Sequence, residues 1–149
     1  MGTTGLIEKN IQQLKNLSQK VPVFYDTNFS VGIHVVRALI KHLPQVCTDF
    51  DISIFESHHA SKKDAPSGTA KTLANDIQAY CNSKSIPILS HRGGGIRGQH
   101  SIIFAGTNEV ITLQHETLDR LVFAEGALKA AQWCLNKPNG FFCMEDLLS

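Results

Sequence analysis

The chain has 149 residues, 42% of them apolar, with 14 Lys and Arg against 13 Asp and Glu and a formal net charge of +1. That balance excludes a disordered segment, which holds too little apolar material to build a core, and argues against a nucleic-acid partner, because affinity for phosphate backbones comes from clustered Lys and Arg. No apolar run nears the about 20 residues that span a bilayer, and MGTTGLIEKN lacks the basic region and apolar stretch of a signal peptide, so we expect a soluble, cytoplasmic protein without a membrane partner.

In chain order, Ile7, Ile11, Leu14 and Leu17 fall at helical spacing, and Val21 to Tyr25 reads as a short strand. Ser30 is placed to cap a second helix with Val31, Val35, Val36, Leu39, Ile40 and Leu43 as its stripe, ended by Pro44. Phe50 to Phe55 alternates as a strand ending at Glu56, Ser57 to Gly68 reads as a loop, and Thr69 to Tyr80 as a helix burying Ala70, Leu73, Ala74 and Ile77. Ile86 to Leu89 is extended, and Ser101 to Ala105 and Val110 to His115 form a hairpin around Gly106-Thr-Asn-Glu109. The last helix is Arg120 to Leu135, with Phe123, Ala124, Ala127, Leu128, Ala131 and Leu135 inward and Pro138-Asn-Gly140 stopping it. The sum is an α+β (mixed α/β) chain with an open mixed sheet flanked by helices. Cys47, Cys81, Cys134 and Cys143 form no Cys-x-x-Cys pair and read as free thiols of a reducing compartment.

Gly93-x-Gly95-x-x-Gly98 matches the dinucleotide fingerprint in letters, but a strand rather than a helix follows it, so no helix N-terminus receives a pyrophosphate. Arg92 and Arg97 beside it either steer an anion or are solvated charges. The densest chemistry lies between Glu56 and Ala70: two imidazoles, two ammonium groups and a carboxylate between a strand end and a helix start. His58 is a candidate general acid or base, with Lys62 four positions on. Ser67, Gly68 and Thr69 open a helix whose unpaired N–H groups form an anion site, although on composition alone ordinary N-capping is the commoner role for Ser67 and Thr69. Adjacent His58 and His59 point apart and have no third ligand at a usual spacing, so no metal is expected. The remaining histidines read as surface or core residues.

The run Glu56-x-His58-His59-x-x-Lys62-x-Asp64-Ala65-Pro66-Ser67-Gly68-Thr69-Ala70 resembles the signature of the dihydrodipicolinate reductase family. Gly2-Thr-Thr-Gly5, Asn28-Phe-Ser-Val-Gly32, Arg92-Gly-Gly-Gly-Ile-Arg-Gly-Gln-His100 and Arg120-x-x-Phe123-Ala-x-Gly-Ala127 are similar to the same family, so the resemblance covers essentially the whole chain. It implies hydride transfer from NADH or NADPH to a cyclic, unsaturated imine dicarboxylate in lysine and diaminopimelate biosynthesis. Carried over by position, His58 is the general acid and Lys62 its catalytic partner, while His59, Gly68, Thr69 and Thr4 contact the substrate. Gly2, Thr3, Thr4, Asp26, Thr27, Asn28 and Phe29 line the cofactor, with Asp26 and Thr27 departing from the family's small residues or proline. The resemblance also implies a homotetramer.

In that family a complete nucleotide-binding domain precedes Gly-Thr-Thr-Gly. Residues 1–29 are therefore expected to be the remnant of that domain, 30–118 the substrate and tetramerisation domain, and 119–149 a segment packing back on the first. A chain of these residues alone is expected to bind dicarboxylates without turnover. The alternative is an oligomerisation module with a vestigial site.

Overall fold

A computed structural model describes residues 1–3, 6–43, 49–81 and 85–148. The elements are α1 (Glu8–Leu17), β1 (Pro22–Phe24), α2 (Val31–Ile40), β2 (Asp51–His58), α3 (Gly68–Cys81), β3 (Ile88–Arg92), β4 (Gln99–Ala105), β5 (Val110–Glu116), α4 (Leu121–Cys134), β6 (Gly140–Phe142) and α5 (Met144–Leu148). They divide into two units, residues 1–34 with 120–149, and residues 35–119.

In the first unit β1 pairs in parallel with β6, Pro22 opposite Gly140 and Phe24 opposite Phe142. Its core gathers Phe24, Phe29, Ala130 and Met144, with Trp133 and Phe142 packed against them. The sequence pattern turned α4 the wrong way. Leu128 and Leu135 are 64% and 82% exposed, and the buried positions are Gly126 and Ala130. The reason is close approach: a Cβ at Gly126 would lie 1.8 Å from the Phe29 carbonyl oxygen, so the face that carries Gly126 packs inward, with Ala130 and Trp133 beside it. β6 and α5 were not foreseen, being too short to show a period.

In the second unit the sheet order is β3-β2-β4-β5, with β2 parallel to β3 and antiparallel to β4. β4 and β5 form the expected hairpin, closed by a Gly106 N–H bond to the Glu109 carbonyl at 2.9 Å. Because strand side chains alternate, Ile52 and Ile54 of β2, Ile102 and Phe104 of β4, and Leu113 of β5 share one face. Ala70, Leu73, Ala74 and Ile77 of α3 belong to the core they build, as the helical spacing predicts. Two strands run further than the sequence reading allowed. β2 continues through His58 and β3 through Arg92, because the two are paired in register and the Gly93 N–H closes the ladder on the His58 carbonyl at 2.9 Å.

One cysteine expectation fails: Cys81 is disulfide-bonded, to a partner outside the described residues, whereas Cys134 and Cys143 are free. No described helix is long and apolar enough to cross a membrane.

Candidate active site

The face that is apolar at Ile54 turns polar one strand step later. Glu56 and His58 follow Ile54 on β2, His100 stands opposite Glu56 on β4, and Arg92 stands opposite His58 on β3. Glu56 is fully buried. Its Oε1 accepts Arg92 Nη2–H at 2.8 Å and, more loosely, the Ser67 backbone N–H at 3.4 Å. Its Oε2 lies 2.5 Å from His58 Nδ1. Burial alone would raise the Glu56 pKa, but the hydrogen bonds from Arg92, Ser90 and His58 outweigh it and pull it down to about 2.

His58 is pushed below the usual histidine range by burial, against the opposing pull of Glu56 and with the help of the Lys62 and Arg92 charges. The His58 and His100 rings meet edge to face, centroids 5.1 Å apart. His100 is buried and its Nε2 meets Ser67 Oγ at 3.1 Å. Burial first, and the neighbouring His58 second, depress His100 to about 4, so it is neutral near pH 7. Ser67 Oγ also accepts the Ala70 N–H at 3.2 Å, making Ser67 the cap of α3.

The loop beyond β2 places Lys62 Nζ 2.6 Å from Asp64 Oδ1, and that ammonium keeps the Asp64 carboxyl below its ordinary value. His59 Nδ1 meets Ser61 Oγ at 2.8 Å, so the two adjacent imidazoles do part. Gly68 and Thr69 form the first turn of α3, and the space in front of Gly68 is open: a Cβ there would meet no atom within 4 Å. His58, His59, Lys62, Gly68 and Thr69 all belong to the second unit.

The residues expected around a cofactor lie in the first unit, apart from Thr4, which is outside the described residues. Gly2 bridges Asp26 in parallel, and a Cβ on it would lie 2.6 Å from the Phe29 ring. Thr3 and Thr27 are exposed. Asp26 is occupied structurally: its carboxylate accepts the Asn28 N–H at 3.2 Å and the Met144 N–H at 3.1 Å. Asn28 Oδ1 accepts the Ser30 N–H at 2.8 Å, and Phe29 is buried against Phe24. Gly98 leads into β4, so the glycine-rich run ends on a strand as its sequence predicts.

Sequence reasoning left Glu56 without a role, Arg92 undecided and His100 among the default histidines. The signal for the first was present, since Glu56-x-His58 at a strand end puts both side chains on one face. Finding Arg92 and His100 required the strand register. Glu56, His58 and His100 also bring three possible ligand atoms within 4.8 Å of one another. Arg92 already neutralises the carboxylate and Ser67 faces His100 Nε2, so the geometry is that of a hydrogen-bonded cluster.

Together these features define an α+β domain with a buried cluster of a carboxylate, two imidazoles and a guanidinium at a sheet end, beside the N-terminus of a 14-residue helix. Residues 32–148 match the family described as "Dihydrodipicolinate reductase, C-terminus". The chain belongs to the dihydrodipicolinate reductase family. It is similar to proteins named 4-hydroxy-tetrahydrodipicolinate reductase from Thermosipho africanus, at 43% identity over 99% of this chain and 66% of the relative, and from Rickettsia rickettsii, at 39% over 99% and 67%. Among solved structures, a dipicolinate-bound dihydrodipicolinate reductase from a Paenisporosarcina species superposes with a TM-score of 0.74 at 27% identity, covering 97% of this chain and 62% of that one. The chain thus spans about two thirds of the length of the curated relatives it matches.

Proposed function

We propose that this chain carries the substrate site and proton donor of a 4-hydroxy-tetrahydrodipicolinate reductase, working in the cytoplasm in lysine and diaminopimelate biosynthesis. The observation that carries the reading is the chain of contacts joining His58 to the start of α3: Glu56 meets His58 Nδ1 with one oxygen and the Ser67 N–H with the other, and His100 meets Ser67 Oγ, next to the open space at Gly68. A cyclic dicarboxylate needs cations and N–H donors for its two carboxylates and an acid for its ring carbon. His59, Gly68 and Thr69, with Thr4, hold the carboxylates. His58 delivers a proton to the carbon beside the hydride acceptor, and Lys62 stabilises the substrate and assists that protonation.

NADH or NADPH supplies the hydride when bound. Gly2, Thr3, Thr4, Asp26, Thr27, Asn28 and Phe29 are the residues we assign to its nicotinamide end. The exposed Thr3 and Thr27 fit direct contact, while buried Asp26 and Phe29 fit a role in shaping the backbone. These 149 residues on their own are expected to bind dicarboxylates without turnover. A homotetramer is supported by the second sheet face, where Leu89 and Val110 are more than half exposed.

Calorimetric titration of the 149-residue chain with pyridine-2,6-dicarboxylate tests the site. Binding weakened tenfold or more by His59→Ala and by Thr69→Val is the expected result. Absence of binding to the unaltered chain would favour the oligomerisation module, and near-normal nicotinamide oxidation by these residues would overturn the expectation of no turnover.

A further inference from the structure

Glu56 is a buried carboxylate to which the reading of His58 as proton donor assigns nothing. A carboxylate is costly to bury and persists inside a protein only when its charge and lone pairs are satisfied. Here the satisfaction is directional. Arg92 bridges Glu56 Oε1 and the Asp64 carbonyl oxygen, the latter at 2.5 Å, so the guanidinium is itself anchored on the loop that carries Lys62. That leaves Glu56 Oε2 aimed at His58 Nδ1. The other edge of the ring faces Gly98: a Cβ there would lie 3.2 Å from His58 Nε2, and Gly98 has φ +148°, a conformation that favours glycine. One nitrogen is thus held by a carboxylate, and the other looks over a position kept clear of side chain.

We infer that Glu56, pinned by Arg92, is the positioning residue of this site, fixing the His58 ring so that Nδ1–H points inward and Nε2 alone exchanges the reacting proton. The inference rests on the functional reading above and adds the residue pair that makes His58 a one-directional donor. In the transfer the Nε2–H bond breaks and a C–H bond forms at the ligand carbon with that carbon's electron pair. The bond pair stays on Nε2, leaving neutral His58 with its hydrogen on Nδ1. Glu56 remains ionised throughout and takes no proton. The same logic holds the histidine of a hydrolytic triad in one tautomer. Glu56 also supports the imidazolium against its surroundings, because burial and the positive charges of Lys62 and Arg92 all disfavour it, and neutral His100 adds no compensating charge.

Nitrogen-15 correlation spectra of the imidazoles in the 149-residue chain test this directly, with His58 assigned by the signal lost in His58→Asn. Neutral His58 carrying its hydrogen on Nδ1 is the expected result, and hydrogen on Nε2 overturns the inference. Glu56→Gln keeps the size of the side chain and removes its charge. The Nδ1–H preference should then fade and the His58 titration midpoint fall by about one pH unit or more. An unchanged tautomer and midpoint in a folded Glu56→Gln chain would also overturn it. Should that variant fail to fold, the tautomer of the unaltered chain decides alone. The two readings fail separately: dicarboxylate binding with His58 in the Nε2–H form removes the positioning role and leaves the functional reading, whereas an Nδ1–H ring without any dicarboxylate binding does the reverse.

Discussion

Two ends of one sheet face, in the same unit, solve burial in opposite ways. At one end Ile54, Ile102 and Phe104 lie in a core with Leu73 and Ile77, all at most 1% exposed, and any apolar side chain of similar volume would serve. At the other end Glu56 is as deeply buried as Ile54, yet each of its oxygens has a named partner, and few substitutions would satisfy those partners again. The apolar end needs volume, and the polar end needs identity. Such a sheet end is a functional-site candidate, since groups whose ionisation is shifted by burial and by specific charged neighbours cluster where chemistry is done.

The largest expected effect comes from breaking the polar end. Glu56→Ala leaves Arg92 without its carboxylate and should cost about 3 to 5 kcal/mol, whereas Ile54→Val at the apolar end should cost about 1 kcal/mol. Urea unfolding of both variants at pH 7 makes the comparison, and equal losses would show that Glu56 is not held as described. Acid should expose the same asymmetry. His100 is depressed to about 4 from 6.5 and Glu56 to about 2 from 4.5, so the unfolded chain binds these protons more readily. Their stabilisation is complete above pH 6.5 and 4.5 respectively, and is lost as pH falls toward 4 for His100 and toward 2 for Glu56. The slope should approach about 1.4 kcal/mol per pH unit for each proton taken up. A melting temperature that stays flat from pH 6.5 to 4.5, or that His100→Phe leaves with the same slope, would contradict this. At the polar end the smallest effect is Ser67→Ala, about 1 kcal/mol through loss of the α3 cap. Thermal unfolding measures it, and a loss well above that value would show that the Ser67–His100 hydrogen bond adds to the cap.

Much of the second unit was legible because its signals are local. The Ala70, Leu73, Ala74 and Ile77 stripe, the hairpin around Gly106-Thr-Asn-Glu109 and the Ser67 cap each depend on neighbours a few residues away. The α4 stripe was misread because its inward face is chosen by the Phe29 backbone, about a hundred residues earlier in the chain, which admits Gly126 and excludes a larger residue. Strand lengths were misjudged for a related reason: His58 and Arg92 look like loop residues until each is seen to be the other's partner in a ladder.

By itself the sequence determined the family, through the run from Glu56 to Ala70, along with the α+β class and the residues offered to chemistry. Side-chain chemistry and short-range spacing are written along the chain, so these needed no fold. Only the tertiary structure brings Glu56, Arg92 and His100 together. Arg92 and His100 are 36 and 44 residues from Glu56 along the chain and become its neighbours only because β3 and β4 flank β2 in one particular register. Shifting that register by one residue would turn all of them to the opposite face.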